Sequence, residues 1–471
     1  MEKVFFVEKN TDDPLYIQLY NSIIKEIEVG HLSGDEKMPS IRHLSNNMGI
    51  SRTTVENTYA QLVSEGYIYS QAQKGYYVTP MTFNSLRLRE NNIRQETKDI
   101  YLEQDTYQFD FTGEYVEYKN FDMTLWKKNI NRTLMDDDLE LYHMGHPFGE
   151  LRLKEQICDY FKRVRGVNAE YHQIIIGSGM QGLLIPIARL FQKRDYHIFS
   201  IENPGFNTAK DVFDQTNYVI NPIGLRDHVL DVKALRDYKK QICFTSPSYQ
   251  FPYGAIMPMN IRLQLLDWAN DSDSYIIEDD YNNELRYIGK PIRSLQGMDI
   301  HERVIYMGSF STLLLPSIRI SFMILPKPLL ASYFEENYRG TQSASKLEQL
   351  TLANMLKNGD FGKHVRRLRK NYRSKYFLIK GYLHKHLASY VDIEIDPAGV
   401  TCVLKLKQAY NKKRIYALQK EYQVRFSLLS EFMIDGNLEK EQYIVLNYRG
   451  IEESKIEKGI VQIKEILCRL Y

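Results

Sequence analysis

Four short runs rich in β-branched and aromatic residues recur along this chain: Gln173-Ile174-Ile175-Ile176, Gln241-Ile242-Cys243-Phe244, Tyr275-Ile276-Ile277 and Val304-Ile305-Tyr306. Each is followed by polar or small residues, and helical stretches lie between them. Runs without polar alternation suit strands buried on both faces, and strands alternating with helices predict a largely parallel sheet covered by helices. Ligand chemistry in such a sheet collects beyond the carboxyl ends of the strands. The pattern begins near residue 108, and a chain of 471 residues has room for further domains before it. A hydrophobic fraction of 43% with 25% charged residues and 15 prolines describes an ordinary globular protein. No stretch approaches the roughly 20 apolar residues of a membrane span, and the apolar run after Met1 is too short for a signal peptide, so no membrane and a cytoplasmic location are expected. Cys158, Cys243, Cys402 and Cys468 form no CxxC pair, which suggests neither a metal site nor a disulfide framework and predicts mostly core thiols. The 35 tyrosines predict many half-wet positions at surfaces or interfaces.

The first eighty residues carry seven Lys/Arg against ten Asp/Glu, so charge alone does not point to nucleic acid. Local pattern does. Pro14 suits a first helical position, Tyr16, Tyr20, Ile23 and Ile27 follow at helical spacing, and Gly30 marks the stop. Ser40 caps a short second helix with Ile41, Leu44 and Met48 inward, and Gly49 turns the chain. Ser51 caps a third helix whose buried face is predicted as Val55, Tyr59, Leu62 and Val63. Tyr67 to Tyr69 and Tyr76 to Val78, joined through Lys74-Gly75, read as a hairpin. The third helix opens on Ser51-Arg52-Thr53-Thr54, a guanidinium and three hydroxyls where a recognition helix meets phosphates and base edges. The bland alternative is a capped surface helix with a solvated Arg52.

Residues 14–78, with Pro14-Leu15-Tyr16, Met38-Pro39-Ser40-Ile41-Arg42, Ser51 to Val55 and the Lys74-Gly75 tip, resemble the GntR-type winged helix-turn-helix. That resemblance implies double-stranded DNA as partner, touched by Arg42, Ser51, Arg52, Thr53, Thr54, Lys74 and Gly75. Residues 80–107, polar and free of Gly and Pro from Met81 onward, read as a linker with helical tendency between a head at 1–79 and a large domain at 108–471.

Beyond the large domain's strands lie Gly177-Ser178-Gly179-Met180-Gln181, Asn203-Pro204-Gly205-Phe206, Thr245 to Gly254, the carboxylate run Glu278-Asp279-Asp280-Tyr281, and Gly308 to Arg319. Three adjacent carboxylates at the end of a buried strand are costly unless one meets a cation and the others reach donors or solvent. A metal site competes with that reading, but no nearby His completes a ligand set. Order and spacing resemble the fold type I aminotransferases, which depend on pyridoxal 5'-phosphate. Behind a GntR-type head the combination resembles the MocR/GabR family of transcription regulators. The resemblance implies an α/β aminotransferase-like domain with a mostly parallel central sheet and a smaller C-terminal α+β subdomain. It implies a cofactor held by Gly179, Gln181, Phe206, Asp279, Tyr281, Ser309, Ser311 and Arg319. In the family a lysine follows Ser-Phe-Ser and forms a Schiff base with the cofactor; here Thr312 stands there, and no lysine lies between Arg303 and Pro326. Tyr249 and Ser321 depart from an expected His and Gly. The expectation is therefore a homodimeric regulator, whose linker permits heads crossed over to the partner, that senses pyridoxal phosphate non-covalently, an adduct of it, or an amino-acid-like effector, without catalysis. An aminotransferase with a regulatory head, or a large domain with an empty structural pocket, are the alternatives.

Overall fold

Pro14 precedes α1 (Leu15–Val29), which ends at Gly30 in the left-handed conformation, φ 85°. Ser40 caps α2 (Ile41–Met48) by accepting from the His43 amide, and Gly49 closes it at φ 61°. The Ser51 side chain caps α3 (Arg52–Ser64) by accepting from the Thr54 amide. The antiparallel hairpin β1 (Ile68–Gln71) and β2 (Gly75–Val78) follows in register, with Gln71 opposite Gly75. These are local signals, and each helix starts and stops where they fall.

The packed faces differ from the periodicity at two positions. Tyr16 and Val63 are exposed, at 41% and 38%, while Leu19 and Thr58 are fully buried. Leu19, Ile23 and Ile27, spaced by four, set the α1 stripe and leave Tyr16 at its margin. Thr58 tolerates burial because its hydroxyl donates to the Thr54 and Tyr16 carbonyls.

The computed structural model describes residues 5–8, 13–80, 107–136, 138–280, 282–287, 292–394, 399–435 and 440–470. The chain divides into two units, Met1–Asp105 and Thr106–Tyr471. The linker expected at 80–107 falls almost wholly outside the described residues, as does Tyr281.

In the large unit the short strand β3 (Phe109–Asp110) pairs in parallel with β14 (Val424–Arg425). The central sheet contains β4 (Ile174–Gly177), β5 (Ile198–Asn203), β6 (Val219–Arg226), β7 (Val229–Leu230), β8 (Gln241–Thr245), β9 (Tyr275–Asp279), β10 (Val304–Ser309) and β11 (Ser321–Ile324). Their order is β4-β11-β10-β9-β8-β5-β6-β7, with only β11 and the edge strand β7 reversed. The four expected runs are β4, β8, β9 and β10, and their apolar residues are buried. Because β11 runs backward, its first residue, Ser321, sits beside the last residue of β10, Ser309.

A second, antiparallel sheet orders β12 (Val391–Glu394), β13 (Thr401–Asn411), β16 (Lys440–Asn447) and β15 (Ser427–Leu428) as β12-β13-β16-β15. With the helices Asp360–Leu387 and Glu453–Leu470 it forms the C-terminal α+β part, sharing one apolar core with β4, β10 and β11. Many tyrosines are half-buried or exposed, as expected, Tyr20, Tyr69, Tyr118 and Tyr171 among them, but others lie wholly inside. Tyr59, Tyr249, Tyr306, Tyr372 and Tyr448 are among the largest fully buried side chains, admitted where the hydroxyl finds an internal acceptor, as Tyr59 does at the Pro39 carbonyl, 2.8 Å away. Cys243 and Cys402 are core thiols, but Cys158 is half-buried and Cys468 exposed. Among the described residues no helix is long and apolar enough to cross a membrane.

Candidate functional site

On the head, Arg42, Ser51, Arg52 and Thr53 are exposed on the amino-terminal turns of α2 and α3, and neither guanidinium has a partner among the described residues. Thr54 is half-buried, its hydroxyl bonded to that of Ser51 at 2.7 Å and its amide to the same oxygen at 3.0 Å. Lys74 and Gly75 form the exposed hairpin tip, where the Lys74 amide donates to the Gln71 carbonyl and Gly75 adopts φ 105°. The surface thus offers donors and cations beside a helix amino terminus, which suits phosphate and base edges.

In the large unit, a cavity of about 590 Å³ opens at the carboxyl ends of β4, β5, β8, β9 and β10. It brings together Gly179, Gln181, Phe206, Asp279, Ser309, Ser311, Thr312 and Arg319. Gly179 caps the helix Met180–Gln192 at φ 88°, and a Cβ there would run into the Arg319 guanidinium. Only glycine lets that side chain lie against the helix amino terminus. Among the described residues Arg319 has no hydrogen-bond or ion-pair partner; a free guanidinium beside unpaired helix amides forms an anion cradle. Gln181 lies exposed at its lip. The Ser309 hydroxyl accepts from the Ser321 hydroxyl at 2.9 Å and from the Ser311 amide at 3.3 Å. Ser311 is buried and donates its hydroxyl to the Ile318 carbonyl at 2.6 Å, which closes the loop and leaves only acceptor capacity toward the cavity. Thr312 donates to the Ser309 carbonyl at 3.3 Å. No lysine stands among the described residues that line the cavity.

On the opposite wall Phe206 stacks on Phe244, ring planes 20° apart, with its own ring half-exposed. The three successive carboxylates at the end of β9 part company, as the strand's period of two requires. Asp280 is held by Arg165 through two bonds of 2.8 and 2.9 Å, both side chains essentially inaccessible. Arg165 also donates to Ser248 at 2.7 Å, and the Tyr306 hydroxyl donates to Asp280. Glu278 accepts from the Leu295 and Gln296 amides, each at 2.9 Å. Asp279 faces the cavity. Burial, then the neighbouring Asp280 and Glu202, push its carboxyl up to about 7. No basic side chain among the described residues reaches it.

Two further residues at this cavity escaped the motif reading. Glu202 is buried on its wall one residue before the end of β5, with burial pushing its carboxyl up to about 7. A carboxylate closing an apolar run was the available signal. Arg449 follows β16 and donates to the Ser311 carbonyl at 2.9 Å, while its buried Nε meets no acceptor among the described residues. It stands 130 residues beyond Arg319, and only the tertiary fold brings the two cations to one cavity.

Comparison with known proteins follows this division. Residues 15–78 match the family described as bacterial regulatory proteins, gntR family. The HTH-type transcriptional regulator YdeL of Bacillus subtilis is 35% identical over 462 residues, covering 98% of each chain. The probable rhizopine catabolism regulatory protein MocR of Rhizobium meliloti is 29% identical, over 98% of this chain and 96% of its own. The large unit shares its fold with the kynurenine aminotransferase of Pyrococcus horikoshii, with a TM-score of 0.70 at 22% identity over 83% of this chain and 97% of that one.

Proposed function

Because the chain belongs to the MocR-type, gntR-headed family of HTH transcriptional regulators, we propose that its aminotransferase-like unit takes pyridoxal 5'-phosphate without a covalent bond and serves as an effector sensor, not as a transaminase. It is a DNA-binding transcription regulator. The observation that carries the sensor reading is the pairing in one cavity of Arg319, at a helix amino terminus, with Asp279, the first without a partner and the second without a cation among the described residues.

The residues present fit the cofactor. Arg319, Ser309 and the first amides of the helix behind Gly179 would hold the phosphate, with Gln181 at the rim. Asp279 would hold the ring nitrogen in its protonated form, and Phe206 offers its face to the ring. Tyr281 and the Ser311 hydroxyl oxygen complete the proposed set. When bound, the group supplies an electron-withdrawing ring that stabilises negative charge at a neighbouring carbon. Transamination further needs a base that moves a proton at that carbon, and the Thr312 hydroxyl has too high a pKa for the task. Arg449 presents a second guanidinium to the cavity, which favours an effector carrying a carboxylate in addition to the phosphate.

Homodimerisation, with heads crossed to the partner's large unit, belongs to the same reading; one head offers few phosphate contacts, and a dimer doubles them. The test is equilibrium dialysis of the full chain with pyridoxal phosphate, followed by operator footprinting with and without it. Binding that leaves the cofactor's aldehyde free and changes operator occupancy is expected. Absence of binding would reduce the large unit to a scaffold, and turnover of amino acids would make it an enzyme.

A further inference from the structure

Asp279 is one of two carboxyl groups at its end of the cavity, and the second has no assigned task. The sheet places them. β5, β8 and β9 run parallel and adjacent, so Glu202 near the end of β5 and Asp279 at the end of β9 flank Ser246, the residue after β8. Ser246 touches both. Its amide donates to Glu202 Oε2 at 3.3 Å, and its hydroxyl reaches Asp279 Oδ2 at 3.5 Å. The Thr245 hydroxyl donates to Glu202 Oε1 at 2.5 Å.

We propose that Glu202 is a positioning residue for this end of the cavity: joined to Asp279 through Ser246, it sets the charge that Asp279 presents to a protonated aromatic nitrogen. The proposal rests on the reading that the cavity takes pyridoxal phosphate.

Beyond burial, Asp280, Glu202 and Glu278 all raise the Asp279 carboxyl, and among the described residues no cation is aimed at it. Asp280 is neutralised by Arg165, and Glu278 turns to the Leu295 and Gln296 amides. Arg262 donates to the Met257, Arg293 and Pro247 carbonyls behind β9. On the cavity wall Arg449 is tied to the Ser311 carbonyl, Glu114 is paired with Arg425 through two bonds of 2.8 Å, and Arg319 lies across at Gly179. Among the described residues Thr245, Ser246 and the Gln250 amide hydrogen-bond to Glu202, and the buried Cys243 thiol and Asp279 feel its charge. Two buried carboxyls bridged by one serine, with no cation reaching them among the described residues, cannot both ionise cheaply. A ligand bringing one positive ring nitrogen relieves that repulsion, and a neutral ring does not. The end of the cavity therefore selects for a protonatable nitrogen, and Glu202 contributes to that selection through Asp279.

The signs follow. A charged Glu202 raises the carboxyl of Asp279, so Glu202→Gln should displace the acid limb of cofactor binding toward lower pH. Glu202→Asp keeps the charge and should return the profile toward wild type. Ser246→Ala removes a donor to ionised Asp279 and should move the acid limb the other way. The measurement is equilibrium dialysis of pyridoxal phosphate against the full chain across the pH range where it stays folded. Opposite displacements for Glu202→Gln and Ser246→Ala support the proposal. Weaker binding in both Glu202 variants without displacement, or a superimposable Glu202→Gln profile, overturns it while leaving the cofactor reading intact. A wild type that binds no pyridoxal phosphate at any pH overturns the cofactor reading and this inference with it. Should Glu202→Gln not fold, an unmoved acid limb in Ser246→Ala overturns the proposal alone.

Discussion

Replacing Arg165 with leucine should destabilise the large unit severely, and the structure sets the size. The guanidinium and the Asp280 carboxylate have side-chain exposures of 0% and 1% and share two bonds. Removing one partner of a buried pair leaves the other charge uncompensated, which costs about 3–5 kcal/mol. Here Glu278 and Glu284 lie close enough to Arg165 to lose a favourable field as well, which argues for the upper part of that range. At about 1.36 kcal/mol per tenfold, the unfolding equilibrium should shift by roughly 150- to 5,000-fold. Trp126 and Trp268 are the two tryptophans of the chain, both buried in the large unit, so urea unfolding followed by tryptophan fluorescence reads that unit without the head. Asp280→Asn should cost a similar amount. Converting both members, Arg165→Leu with Asp280→Leu, should recover much of the loss, since a buried pair replaced by apolar groups is often near neutral. Recovery should stay partial because Ser248 and Tyr306 lose their partners. Single variants that cost under about 1 kcal/mol, or a double variant no better than Arg165→Leu, would refute the reading of Arg165 and Asp280 as a buried pair whose members compensate each other.

Arg52→Ala should weaken operator binding by about 1–3 kcal/mol if the guanidinium reads a base; an unchanged gel-shift titration removes it from the recognition set. Thr312→Lys should allow bound pyridoxal phosphate to be fixed to the chain by borohydride, detected as a mass increase on the peptide containing residue 312, whereas the parent chain should show none. Folding raises the carboxyls of Asp279 and Glu202 to about 7 from 3.8 and 4.5. The folded state therefore holds protons that the unfolded state has released, and the associated stability is present at acid pH and lost as pH rises through about 4 to about 7. Asp279→Asn should flatten that decline in urea midpoints of the ligand-free chain; an unchanged slope excludes Asp279 as its source.

Local chemistry decides the parts of this protein that can be read one segment at a time. Ser40, Ser51, Gly30 and Gly49 start and stop helices through bonds to residues at most four positions away, so the head's elements were legible from their own residues. The runs that became β4, β8, β9 and β10 were legible because a strand buried on both faces carries no polar alternation. The strand period also implies that Asp279 faces away from Glu278 and Asp280. Which of the three finds a cation, however, depends on Arg165, which lies 115 residues from Asp280. Val63 at helical spacing with Val55 and Tyr59 still faces solvent, because what packs on α3 is set by α1 and α2 and not by α3 itself. Glu202 closes an apolar run, which hints at burial but not at a partner, and Arg449 is a single charged residue after a strand with no such hint. Only the parallel alignment of β5, β8 and β9, and the return of β16 toward the Ser311 loop, bring them to the cavity wall. The roles of those two residues are long-range properties, since the energy of a buried charge depends on what the fold brings to face it.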